Sequence, residues 1–146
     1  MFRTAVTGFA LASAIATGAF AETHDIQMLN HGENGEVMVF EPAFLQIAPG
    51  DTVRFVTTDR GHNAESILEM MPKGAEAFKG RINEEIEITF DIEGLYGIKC
   101  IPHYAMGMVM TVAVGEVTEV PDEYLAGRIP PNAMKRFVSQ IEELGL

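Results

Sequence analysis

The chain has no tryptophan, a single cysteine and few cations. Ten Lys and Arg stand against 21 Asp and Glu among 146 residues, a formal net charge of −11. Each shortage removes a class of protein. A lone cysteine forbids an internal disulfide, so stability must come from packing. The acidic excess argues against nucleic acid and anionic membrane as partners, because both reward clustered Lys and Arg. A long apolar run is also missing. The nearest approach, Ala5 to Phe20, is short and rich in Ala, Gly and Thr, whereas a spanning helix needs roughly 18 or more apolar residues. Arg3 precedes that run, and Ala19-Phe20-Ala21 closes it ahead of Glu22. It therefore reads as a bacterial secretory signal peptide, residues 1–21, removed on export to the periplasm. Residues 22–146 suffice for one domain with one core. Export makes the cysteine a puzzle, since an oxidising compartment does not spare an unprotected thiol.

What is present is mostly β pattern. "EEIEITF" sets Ile86, Ile88 and Phe90 on one face against Glu85, Glu87 and Thr89 on the other, the period of a half-buried strand. "TVRFVTT" aligns Val53, Phe55 and Thr57, and "GLYGIKC" aligns Tyr96, Ile98 and Cys100. "MVMTVAV" is a short apolar run between Gly107 and Gly115, and shorter strands are expected at 24–29, 37–40 and 44–47. The turn signals "HGENGE", "APGD", "MPKG" and "DIEG" separate them. Many short strands at this spacing imply an antiparallel sandwich or barrel. After Val120 the pattern changes. "PDEYLAG" has the acidic start and glycine stop of a short helix. In "NAMKRFVSQIEELGL", Met134, Phe137, Val138, Ile141 and Leu144 form one helical stripe. The reading is a mainly β sandwich with two C-terminal helices from about residue 121.

The chemistry concentrates in "KCIPHYAMGM". Cys100 ends a strand, His103 sits in the following turn, and Met108 begins the next strand. Copper, Cu(I) above all, favours thiolate and accepts imidazole. A His₂Cys trigonal set with a weak axial thioether is the electron-transfer copper site. The second histidine must come from elsewhere, and His62 in "DRGHNAES", after the strand at 52–57, is the candidate. Copper would also answer the puzzle, because coordination removes the thiol proton and shields the sulfur. His24 and His31 lack ligand spacing and read as solvated or strand residues. Met70 and Met71 read as core or rim packing rather than a copper-transfer surface.

From Glu22 to the C-terminus the chain resembles the pseudoazurins, small periplasmic type 1 copper proteins of the cupredoxin superfamily. The resemblance lies in "MVFEPA", "PGDTV", "GHNAES", "INE", "CIPHYAMGM" and the helical tail. Plastocyanins share the Cys-x2-His-x4-Met spacing, but "HYAMGM" and the tail set this chain apart from them. The resemblance implies an eight-stranded Greek-key sandwich and the copper ligands His62, Cys100, His103 and Met108. It gives Asn63 the part of tying the first-ligand loop to the cysteine loop, and it packs Met38 beside the exposed histidine. Pro102 removes a donor near the thiolate and stiffens the turn. The implied function is a one-electron shuttle among periplasmic redox partners, typically a copper nitrite reductase or a nitrous-oxide reductase in denitrification.

His103 is then the expected exit for the electron, within an apolar docking patch of Pro102, Ala105 and Met106. Relatives surround this patch with lysines. Here Arg60, Lys73, Lys79, Arg81 and Lys99 offer a reduced ring on an acidic chain. No substrate pocket is visible and four ligands leave copper no open position, so an enzyme is not expected. A multicopper oxidase would need a histidine beside the cysteine, where Lys99 and Ile101 stand. The alternatives are a periplasmic copper carrier or storage protein, and a structural module that binds zinc or nothing. A monomer is expected.

Overall fold

Alternation along β6 (Ile86–Phe90) turns Glu87 and Thr89 to solvent while Ile86, Ile88 and Phe90 face inward, as the period-2 pattern requires. The computed structural model describes residues 20–146; the export segment expected at 1–21 lies outside them apart from its last two residues. The other strands are β1 (Thr23–His31), β2 (Val37–Glu41), β3 (Phe44–Ile47), β4 (Asp51–Val56), β5 (Glu65–Ser66), β7 (Gly94–Lys99) and β8 (Val109–Val114). They form two four-stranded sheets, ordered β2-β1-β4-β6 and β3-β8-β7-β5.

An all-antiparallel sandwich is not what forms. β1 pairs with β4, and β3 with β8, in parallel. The cause is a change of sheet between β2 and β3, at Pro42 and Ala43, which carries β3 to β8 and returns β4 to β1. The inner faces meet in a core that includes Phe40, Phe55, Phe90, Tyr96, Met110 and Val112. Cys100 and Met108 belong to this same core, both fully buried. Two of the copper ligands expected from the cysteine loop therefore sit in the sandwich core.

The outer face of the second sheet is covered by α1 (Pro131–Glu143), whose first turn accommodates Pro131 because its N–H would have no helical partner. Phe137, Ala133 and Ile141 fill a second cluster with Leu95, Val109 and Tyr124. The helix is rotated relative to the expected stripe: Val138 is 40% exposed and Gln140 is buried in its place. Gln140 turns inward because it can be satisfied there. Its amide donates to the Val109 carbonyl at 3.0 Å and its oxygen accepts from the Thr111 hydroxyl at 2.9 Å.

The first of the two expected C-terminal helices is absent. Residues 121–127 form turns with only i+3 bonds, Tyr124 N–H to Pro121 O at 2.9 Å and Ala126 N–H to Glu123 O at 3.2 Å. A segment this short cannot recover the cost of helix nucleation by itself. The buried ring of Tyr124, whose hydroxyl donates to Thr111, holds it down instead.

Candidate metal centre

β7 ends at Lys99, Cys100 follows it directly, and a 3₁₀ segment, Ile101–Met106, comes next. The turn closes on itself: Cys100 N–H bonds the Met108 carbonyl at 3.0 Å, and Met108 N–H bonds the His103 carbonyl at 3.1 Å. One loop thus fixes the positions of Cys100, His103 and Met108 relative to each other. Gly107 permits it, because φ is +94° and an added Cβ would stand 3.0 Å from the Asn132 carbonyl. His62 arrives from the loop between β4 and β5, which Asn83 braces. Asn83 accepts from Gly61 N–H at 2.7 Å, and its own N–H donates to the His62 carbonyl at 2.9 Å.

The three donor atoms converge. The Cys100 sulfur lies 3.7 Å from His62 Nδ1 and 3.6 Å from His103 Nδ1, and the two nitrogens are 3.1 Å apart. Atoms bound to one metal at about 2.0–2.3 Å would show these separations at angles of roughly 100–125°. Polarity agrees with geometry. His62 Nε2 faces Asn30 Oδ1 at 2.9 Å; an amide oxygen only accepts, so the ring proton sits on Nε2 and Nδ1 presents a lone pair. Burial depresses the His62 pKa, and the neighbouring His103 depresses it further against a smaller opposing pull from Asp59, which favours the neutral ring that binds metal. Burial pushes the Cys100 thiol up, opposed by the backbone N–H groups of Asn63 and His103. Without a cation that sulfur is a poor nucleophile; with one it becomes a thiolate ligand. A lone pair and a thiol, buried around one point, fit a soft metal.

Asn63 accepts from Ile101 N–H at 2.8 Å and donates to the Gly80 carbonyl at 3.0 Å, joining the His62 loop to the cysteine loop. Met38 is half-buried against the core that holds Cys100 and Met108, with an unusual φ of +53°. Pro102, Ala105 and Met106 are exposed around a half-buried His103, whereas His62 is 0% exposed. The 0.44 relative exposure of Met106 is matched by Ile101 at 43%. Met108 contributes a buried side chain to the cluster around Cys100. His24 lies apart, 3.0 Å from Asp51, and His31 is exposed at the end of β1. Met70 is buried and Met71 half-buried, as packing requires. Sequence reasoning missed Asn30, Asn83 and Arg136. Asn83 lies inside "INE" and Arg136 inside "NAMKRFVSQIEELGL", but neither stretch marks them as site residues, and Asn30 lies in no quoted motif.

Two four-stranded sheets with a His₂Cys cluster, buried but for the edge of His103, define a cupredoxin-type copper protein. The family of copper-binding proteins, plastocyanin/azurin type, matches residues 26–115. A pseudoazurin of Paracoccus pantotrophus is 46% identical over 131 residues, 90% of either chain. The solved pseudoazurin of Hyphomicrobium denitrificans superimposes with a TM-score of 0.76 at 40% identity, covering 83% of this chain and 97% of that one. A Sinorhizobium pseudoazurin gives 0.80 at 38% identity, covering 84% and 96%. The chain belongs to the plastocyanin/azurin family, in its pseudoazurin branch. It is a copper-binding electron carrier and not an enzyme.

Proposed function

We propose that the chain is a periplasmic one-electron shuttle in which His62, Cys100, His103 and Met108 hold a single type 1 copper, and that it donates electrons to a denitrification reductase. The observation that carries this reading is the convergence of three donor atoms from two separate loops, with only His103 reaching towards the surface. Copper, when bound, supplies the one-electron Cu(I)/Cu(II) couple. The chain supplies rigidity. Asn63 fastens the two ligand loops together, and Asn30 fixes the His62 ring, so the donors keep their places when the charge changes. Met108, buried beside Cys100, would offer the copper its thioether as a weak fourth ligand. The buried sulfur and His62 exclude water, while the exposed Pro102, Ala105 and Met106 give a partner an apolar surface over the half-buried His103. Removal of residues 1–21 delivers residues 22–146 to the periplasm as a monomer.

A copper carrier would need accessible thioethers. Met28, Met70, Met108 and Met110 are fully buried, and among the described methionines only Met106 is exposed. Stopped-flow mixing of the reduced protein with copper nitrite reductase, and separately with nitrous-oxide reductase, tests the shuttle. Second-order reoxidation by either supports the reading. Failure with both sinks the denitrification role, and rapid loss of copper to a chelator favours the carrier.

A further inference from the structure

Arg136 makes the most consequential contact that the site residues do not explain. It projects from α1, 28 positions after Met108 in the chain, with its side chain only 19% exposed. Its guanidinium donates three short bonds, all to backbone carbonyls: Met38 at 2.6 Å, Gly107 at 2.7 Å and Val37 at 2.8 Å. Its one carboxylate neighbour, Glu36, stands back at 3.9 Å and is itself half-exposed. A side chain that gives its planar fork to three carbonyls, rather than to a carboxylate, is acting as a clamp on backbone.

The choice of carbonyls is informative. Gly107 and Met38 both have positive φ, +94° and +53°. For a residue with a Cβ such as Met38 that conformation is unfavourable and persists only when its surroundings enforce it. The Gly107 carbonyl belongs to the same rigid peptide unit as the Met108 N–H. Arg136 therefore holds one edge of that plane while the His103 carbonyl, 3.1 Å from Met108 N, holds the other. A peptide plane pinned from both edges fixes where the Met108 side chain leaves the backbone. One turn earlier on the helix, Asn132 donates to the Ala105 carbonyl at 3.2 Å, so the same helical face grips the loop twice.

We propose that Arg136 is a positioning residue of the copper centre: from α1 it sets the distance of the Met108 thioether from the metal and ties the ligand loop to Met38. The proposal rests on Met108 as axial ligand. It gives the C-terminal helix a part in tuning the centre, because a weak axial ligand is one of the features that set the potential of such a site.

Arg136→Gln and Arg136→Lys test it. In the metal-free protein, R136Q exchanges the Met108 amide roughly tenfold or more faster, while amides of β1 and β4 such as Ile26 and Phe55 keep their rates. In the copper-loaded protein, R136Q changes the ratio of the two thiolate-to-copper absorption bands and shifts the reduction potential. R136K, which keeps the charge but reaches fewer carbonyls, falls between R136Q and the parent. Unchanged Met108 exchange with an unchanged band ratio and potential overturns the proposal. So does faster exchange spread evenly over both sheets, which would mark a purely structural role. A parent protein lacking a thiolate-to-copper band would instead sink the copper reading on which this one stands.

Discussion

Asn30 presents one oxygen to the ring of His62 at 2.9 Å, and that single contact decides which imidazole nitrogen faces the metal. Partners of this kind are worth about 10–100-fold in metal affinity. Asn30→Ala is accordingly expected to weaken copper binding by about that factor, measured by chelator competition, with little change in fold. Unaltered affinity would mean that the ring needs no such orientation. The distance along the chain separates what could be read in the sequence from what could not. Cys100, His103 and Met108 share one loop, so their types and spacing carry the chemistry by themselves. Asn30 lies 32 residues from His62, and Arg136 is 98 from Met38. Asparagine and arginine are common surface residues, and nothing local marks these two as exceptions.

At the level of elements, α1 is a test of register. Phe137 is fully buried and Val138 is 40% exposed, although both belong to the apolar stripe of the sequence. Phe137→Ala is expected to lower unfolding stability by about 3–5 kcal/mol, whereas Val138→Ala stays within about 0.5 kcal/mol; urea denaturation measures both. Equal losses would contradict the observed rotation. A helical stripe resolves a face only to within a residue or two, and the inward turn of Gln140 depends on acceptors and donors that β8 supplies. Strands with a sustained period, such as β4 and β6, could be read directly. β5 has two residues and therefore no period, and it exists because Glu65 and Ser66 find partners on β7.

The β1 and β4 strands also carry the pH dependence. The Asp51 carboxylate accepts from Glu22 N–H, contacts the His24 ring and accepts from Ala48 N–H, and these bonds hold its pKa below the usual value. Arg54 does the same for Asp25. A carboxylate with a depressed folded pKa stabilises the fold above its unfolded value, about 3.9, and that stability is lost as pH falls through the lower folded value. The thermal midpoint is expected to change little on this account from pH 7 to 5 and to fall below about pH 4, less steeply in Asp51→Asn. A midpoint indifferent to acid between pH 5 and 3 would refute that linkage.

Over the whole molecule the charge is −11, and three of the five cations expected around the site stand near carboxylates. Lys79 and Lys99 both reach Glu65, at 3.6 and 3.9 Å, and Arg81 meets Glu84 at 3.2 Å. Neutralised cations steer weakly. The rate of electron transfer to the partner is therefore expected to vary little between low and physiological ionic strength, as read by stopped flow. A steep decline with salt would show that a basic docking face survives. Contact through the apolar surface of Ile101, Pro102 and Met106 needs no long-range attraction.

All of this depends on one sulfur and two imidazoles sharing a metal. Titrating copper(II) into the metal-free protein and into Cys100→Ser, with visible absorption as the readout, tests it most directly. The parent is expected to develop an intense thiolate-to-copper band that saturates at one equivalent, and the serine variant to develop none. A parent that stays colourless, or a variant that keeps the band, would contradict the assignment of Cys100 to a type 1 copper centre.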